Sequence, residues 1–161
     1  MGTVLKPPTP LPTLLATPSV FLAGSIEMGQ AIDWQSAVER ALAAYDLTIL
    51  NPRRDDWDAS WEQAITHPQF RAQVEWELAA QERADLIAMY FAPTTQAPIT
   101  LLELGLFART NKVIVCCPAG YWRKGNVDVV CQRYGIPQVA TLDALVTAVQ
   151  SFVGTGRMRG L

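Results

Sequence analysis

The sequence predicts an α/β domain with a doubly wound, five-stranded parallel sheet in a flavodoxin-like, three-layer arrangement. Short apolar runs of strand length alternate along the chain with longer amphipathic segments of helix length. The central run, residues 86–91, is apolar without interruption, which is typical of a strand buried on both faces of a parallel sheet. With 161 residues, half of them hydrophobic, the chain is long enough to bury the core of one domain.

The individual elements follow from periodicity and from breaker residues. A proline-rich arm without amphipathic period covers residues 1–18, and we expect it to lie over a neighbouring subunit. The domain proper is predicted over residues 19–153, followed by a tail over residues 154–161. Predicted strands cover residues 19–23, 47–50, 86–91, 112–117 and 138–140. Predicted helices cover residues 31–45, 68–83, 99–110, 127–134 and 142–153, the last with Thr141 as its N-cap.

Composition excludes several functional classes. The formal net charge of −2 argues against a nucleic-acid partner, and no apolar run reaches membrane-spanning length. Cys116, Cys117 and Cys131 lack the spacing of zinc ligands, and His67 is the single histidine. We therefore expect a cytoplasmic protein without a metal or another cofactor.

Glu103 is the main candidate for a reactive group, because it is the one acidic residue in a helical segment that is apolar almost throughout. One alternative is a capping box, in which its carboxylate bonds the backbone amide of Thr100. In the other, Pro98 begins the helix and Glu103 lies in the second turn near the carboxyl end of the sheet, where open α/β folds bind ligands. There the carboxylate would serve as a nucleophile or a base.

Glu77 is the second acidic candidate, in the preceding helix. If Phe70, Val74 and Leu78 form the buried stripe of that helix, Glu77 lies at its border. Most charged residues in such a position are solvated, so the helical pattern alone leaves its role open.

Two loops have the composition of ligand-binding segments. Gly24 and Ser25 follow the first strand of the domain, where small residues allow a ligand to approach the backbone. The loop at residues 51–61 is rich in charge and contains Trp57 and Trp61, whose apolar faces need a cover such as a planar nucleobase.

Several segments together resemble the nucleoside 2-deoxyribosyltransferase family, to which the deoxynucleotide N-glycosidases are related by fold. The similarity covers roughly residues 20–140. The segments that carry it are FLAGSI at residues 21–26, NPRRDDWD at 51–58, WELAAQERAD at 76–85, ITLLELGLFA at 99–108 and YWRKGN at 121–126.

The resemblance implies an enzyme that acts on nucleosides and nucleobases through two acidic side chains. It assigns the nucleophile to Glu103, and contact with the substrate and its leaving base to Glu77, where the family often has Asp. A further acidic position of some members falls on Ala97. We expect the loop that contains Asp56 and Trp57 to supply the missing contribution.

The resemblance also implies substrate contacts by Phe21 and by Asn126. The asparagine would reach the sugar in a neighbouring subunit's site, so we expect a homo-oligomer with shared active sites. Two alternatives to a transferase remain open. One is an N-glycosidase that hydrolyses nucleosides or their monophosphates, with Ser25, Arg123 and Lys124 as phosphate ligands. The other is a non-catalytic nucleotide-sensing domain on the same fold.

Overall fold

The computed structural model describes residues 2–15, 18–27 and 31–156, so residues 28–30 and most of the predicted tail lie outside the description. Within these ranges, six parallel strands form one sheet in the order β1-β3-β2-β4-β5-β6. The strands are β1 (Thr3–Leu5), β2 (Ser19–Gly24), β3 (Thr48–Leu50), β4 (Leu86–Tyr90), β5 (Val113–Cys116) and β6 (Gln138–Val139).

Five helices connect the strands of the described chain. They are α1 (Trp34–Leu42), α2 (Pro68–Arg83), α3 (Pro98–Phe107), α4 (Lys124–Tyr134) and α5 (Leu142–Thr155). Asp33 caps α1 by accepting a hydrogen bond from the Ser36 amide, which starts this helix later than predicted. Thr141 caps α5 as predicted, and α5 continues two residues beyond its predicted end.

The strand order β3-β2-β4-β5-β6 is the flavodoxin-like order expected from the sequence. Two hydrophobic clusters, one on each face of the sheet, give the three layers. One cluster joins the sheet to α2, α3 and α4 through residues such as Trp76, Leu104 and Val127. The other joins it to α1 and α5 through residues such as Val38 and Leu145.

The prediction of five strands is wrong, because the N-terminal arm contributes a sixth. Residues Thr3–Leu5 pair in parallel with Thr48–Leu50 at the edge of the sheet. The arm then continues along α2, where the Trp76 indole donates to the carbonyl of Thr9. Leu11 and Leu15 of the arm pack against the core of the same chain.

Leu5, Leu11 and Leu15 of the arm therefore pack in their own domain, contrary to the expectation that the arm lies over a neighbouring subunit, whereas Leu14 is 83% exposed. No helix in the described part of the chain is long and apolar enough to cross a membrane.

Candidate active site between α2 and α3

Two carboxyl groups, Glu77 of α2 and Glu103 of α3, lie where these helices meet, a contact that we call the crevice. Glu103 is buried in the second turn of α3, with 7% of its surface exposed. On α2, Gln73, Glu77 and Gln81 follow one another at intervals of four residues and so share one face of the helix. The Gln81 Nε2 donates to Oε1 of Glu103 at 2.9 Å. The Gln73 Nε2 donates to Oε1 of Glu77 at 2.7 Å.

This face differs from the one predicted for α2. The buried residues of the helix are Gln73, Trp76, Ala80 and Gln81, whereas Phe70, Val74 and Leu78 are half-buried. Trp76 and Ala80 join the core, while Gln81 donates to α3 and Gln73 to the backbone carbonyl of Pro52. Glu77 is half-buried and lies on the face between the two enclosed glutamines.

The environment shifts the pKa of both carboxyl groups in the same direction. Burial raises the pKa of Glu77 to about 7, against the opposing effect of the hydrogen bond from Gln73. Burial and, to a lesser degree, the charge of Glu77 raise the pKa of Glu103 to about 8. The Gln81 hydrogen bond acts in the opposite direction on Glu103. Since each charge disfavours the other, the two groups titrate as a coupled pair, which holds about one proton between pH 7 and pH 8.

The capping-box alternative for Glu103 is wrong. Ala97 is the N-cap of α3 and Pro98 the first helical residue, so Thr100 lies inside the first turn. The Glu103 carboxylate accepts its described hydrogen bond from Gln81, across the crevice, and not from the Thr100 amide. The carboxylate is thus directed at another element of the fold.

Two loops meet above the crevice, at the carboxyl ends of the neighbouring strands β2 and β4. Ser25 follows β2, and its hydroxyl shares a hydrogen bond of 2.5 Å with that of Thr95, which follows β4. The Glu27 carboxylate accepts from the backbone amide of Ala97 at 3.0 Å. This is the point where the chain reverses its direction across the sheet, and open α/β folds bind ligands at such points.

The start of α3 is held by two aromatic side chains as well. The Tyr121 hydroxyl donates to the carbonyl of Gln96 at 2.7 Å, and the Trp122 indole donates to the same carbonyl at 3.0 Å. Ala97 adopts a positive φ of 47°, which few residues other than glycine adopt. These contacts and Glu27 fix the turn that precedes the Glu103 helix.

Gly24 and Phe21 serve the protein's own packing. A Cβ atom on Gly24 would lie 2.5 Å from Cζ2 of Trp34 and 2.6 Å from the carbonyl oxygen of Tyr90. The space beside Gly24, where we expected a ligand to approach the backbone, is therefore filled by these two residues. Phe21 is fully buried in the core below the crevice, and the structure does not bring its side chain to the surface.

The tryptophans of the charged loop cover one another. The rings of Trp57 and Trp61 meet edge to face at 5.0 Å, and the Arg54 guanidinium lies 4.9 Å from the Trp61 ring. Asp56 is exposed and pairs with Arg54 at 2.9 Å, which lowers the pKa of its carboxyl. The Trp57 Nε1 is buried without a protein partner, so this indole keeps one unused donor.

Three residues at the start of α4 were expected to contact substrate. Asn126 is exposed in the first turn of this helix. Arg123 stacks on the Trp122 ring at 4.2 Å, and Lys124 pairs with Asp128 at 2.9 Å. In the described chain, no group of three or more His, Cys, Asp or Glu side chains converges as metal ligands do.

Sequence reasoning missed three residues of the site, namely Gln73, Gln81 and Glu27. The spacing of Gln73, Glu77 and Gln81 was a readable signal, since it places one carboxyl between two amides on a single helix face. The contact between Glu27 and Ala97 gave no such signal. It depends on positive φ angles at both residues, which neither residue type suggests.

Comparison with known proteins agrees with this geometry. No curated protein matches the sequence. The model of one protein family, described as nucleoside 2-deoxyribosyltransferase like, matches residues 17–121, which hold β2 to β5 and both glutamates of the crevice. The chain therefore belongs to the nucleoside 2-deoxyribosyltransferase-like family, which suggests an enzyme that acts on nucleosides by glycosyl transfer or as an N-glycosidase.

Proposed function

We propose that the protein transfers a 2-deoxyribosyl group from one nucleobase to another through a covalent glycosyl-enzyme intermediate on Glu103. Glu77 is the acid that protonates the departing base. The observation that carries this proposal is the enclosure of the two carboxyl groups in one crevice, where the pKa of each is raised towards neutrality.

The two roles follow from the chemistry of the bond. As the C1′–N bond breaks, its electrons move to the base and positive charge develops on the sugar ring, where the Glu103 carboxylate stabilises it. The carboxylate then bonds to C1′, and the base nitrogen takes the proton of Glu77. An acceptor base next attacks C1′ and releases Glu103, while Glu77 accepts the acceptor's proton. Two displacements at C1′ retain its configuration.

This mechanism requires one carboxyl group ionised and the other protonated. A single exposed glutamate would be almost fully ionised at neutral pH and could not serve as an acid. Burial of the pair supports the acid role, because it keeps a proton in the crevice near neutral pH. The pKa of Glu103 is the higher of the two, so the reactive form, with Glu103 ionised and the proton on Glu77, is the less populated of the two singly protonated forms.

Substrate contacts are proposed for the loops around the crevice. Ser25 lies at the carboxyl end of β2, beside the turn that starts α3. Trp57 has a buried indole donor without a protein partner, which a polar atom of a nucleobase would satisfy. Asp56 is exposed in the same loop and can reach a ligand that enters from solvent.

Hydrolysis is the nearest alternative and differs by one reactant, since water then attacks C1′ in place of a base. A nucleoside monophosphate would need a phosphate site, and two of the three residues expected to form one are bonded to other residues. Lys124 is paired with Asp128, and the Ser25 hydroxyl is bonded to that of Thr95. These pairings favour an uncharged nucleoside as the substrate.

A homo-oligomer with shared active sites is part of the proposal. Ile99, Leu102 and Leu106 are 58%, 60% and 54% exposed and form an apolar stripe along the outer face of α3. Such a stripe is poorly placed in water, and a second copy would cover it. Asn126 on α4 is exposed and free to extend into a neighbouring site.

The test incubates the protein with a deoxynucleoside and a different free base, separates the products, and compares Glu103→Gln with Glu82→Gln, an exposed control on α2. A new nucleoside from wild type and Glu82→Gln, but not from Glu103→Gln, is the expected result. Mass spectrometry of the acid-quenched reaction should find one deoxyribosyl group on the peptide that contains Glu103.

Release of free sugar alone would identify a hydrolase. If wild type turns over no nucleoside but binds one, and Glu103→Gln binds it equally well, the sensor alternative replaces the proposal.

A further inference from the structure

Gln81 is a fully buried amide that contacts the proposed nucleophile directly. Its side chain has no exposed surface, and its Nε2 lies 2.9 Å from Oε1 of Glu103 and 3.3 Å from the backbone carbonyl oxygen of Glu77. The backbone carbonyl of Gln81 accepts a hydrogen bond from Lys112 Nζ at 2.7 Å. The side-chain amide is therefore held through its nitrogen, and the backbone of Gln81 is fixed by a residue that precedes β5, while the buried Oε1 of Gln81 has no described partner.

An amide nitrogen donates hydrogen bonds and does not accept them, so the two oxygens of Glu103 are not equivalent. Oε1 must act as an acceptor for Gln81. Any proton on this carboxyl group resides on Oε2, and Oε2 is also the oxygen that remains available to a substrate. A hydrogen bond to the charged form favours ionisation, in opposition to the burial of the site.

The charged groups described near Glu103 do not favour its ionised form, so the hydrogen bond from Gln81 is the contact that does. Glu77, from α2, disfavours the ionised form of Glu103. The Lys112 ammonium donates to three backbone carbonyls at the end of α2, those of Gln81, Glu82 and Ala84. Glu27 accepts from the Ala97 amide at the start of α3.

We propose that Gln81 is a positioning residue for the reaction proposed above: it holds Oε1 of Glu103, directs Oε2 to C1′, and favours the reactive form in which the nucleophile is ionised and Glu77 carries the proton. The inference rests on the proposed function. In the covalent step, a lone pair of Oε2 forms the bond to C1′ as the C1′–N bond breaks, and the proton on Glu77 passes to the base.

Gln81→Met tests the inference, because methionine has a similar length and lacks the donor. Gln132→Met on the exposed face of α4 is the matched control. The carboxyl carbon of Glu103 is titrated by carbon-13 NMR in glutamate-labelled protein and assigned with Glu103→Gln. The pH profile of transfer is measured on the same samples.

In Gln81→Met we expect the pKa of Glu103 to rise by about 1 and the acid limb of the kcat profile to move up with it. At neutral pH kcat should fall about tenfold, with KM changed less than about twofold. Gln81→Asn keeps the buried amide but withdraws it from Glu103 by one methylene. In this variant, too, the pKa of Glu103 and the acid limb of the kcat profile should rise. This second variant keeps the test available if the methionine variant does not fold.

The two proposals fail separately. An unchanged titration of Glu103 and a wild-type acid limb in the folded Gln81 variants overturn the role of Gln81, whether or not the protein is a transferase. Absence of transfer by wild type overturns the proposed function, while the NMR titration still reports whether Gln81 controls ionisation of Glu103.

Discussion

Replacing Glu103 by Gln should stabilise the protein at neutral and alkaline pH, because the folded chain disfavours ionisation of this carboxyl group. Its pKa is about 8 in the folded state against an ordinary value of 4.5. When the pKa of a carboxyl group is higher in the folded than in the unfolded state, the protein is most stable below the unfolded pKa and becomes less stable as the pH rises. That advantage is lost as the pH rises from about 4.5 to about 8.

The magnitude follows from the same two values. Each pKa unit corresponds to 1.36 kcal/mol, so full ionisation of Glu103 costs about 5 kcal/mol of folding free energy, and about 3 kcal/mol of this develops between pH 5 and pH 8. Glutamine has nearly the same shape and does not ionise. The stability advantage of Glu103→Gln over wild type should therefore grow by about 3 kcal/mol across this range.

Urea unfolding at pH 5, 6, 7 and 8, followed by circular dichroism, measures this difference. Glu82→Gln is the control, since it removes an exposed carboxyl from α2 and should follow wild type at every pH. If the Glu103→Gln and wild-type stabilities remain parallel from pH 5 to pH 8, Glu103 is not buried as an ionisable group. The reasoning that makes it one member of a proton-sharing pair then fails.

Three other outcomes are expected. Transfer activity should have a bell-shaped pH profile with a maximum near pH 7 to 8, because it falls when Glu103 is protonated and when Glu77 has lost its proton. The alkaline limb should be lost in Glu77→Gln, and a flat profile in wild type would contradict these roles. Leu106→Glu should reduce the oligomer measured by analytical ultracentrifugation with little effect on thermal unfolding, and an unchanged oligomer would exclude this face of α3 as the contact. Gly24→Ala should destabilise the fold by about 1–3 kcal/mol in urea unfolding, because its Cβ has no room beside an indole and a carbonyl, whereas Gly125→Ala, with open space around it, should be neutral or slightly stabilising.

The strand order and helix α2 could be predicted because their signals are local and strong. Pro68 begins α2 as predicted, and the apolar run of β4 identifies the centre of the sheet. The edge strand Thr3–Leu5 could not be predicted, since three residues in a proline-rich segment show no period and the pairing with β3 is purely tertiary.

The two acidic residues of the candidate site could be predicted, but the glutamines that bond them could not. Glu103 stands out because a carboxylate in an apolar helix is unusual in any fold. The buried face of α2 was misassigned, because Phe70, Val74 and Leu78 are more hydrophobic than Gln73 and Gln81, the residues that are in fact enclosed. Hydropathy cannot identify a helix face that is buried for its hydrogen bonds.

The two borders of the sheet bear on how copies of this chain could associate. One border is the three-residue β1 and the other the two-residue β6. Strands this short present few unpaired amides and carbonyls to an incoming chain, so continuation of the sheet from one molecule into the next is disfavoured. An assembly of this protein would be built through contacts of helix surfaces, with every sheet complete within its own subunit.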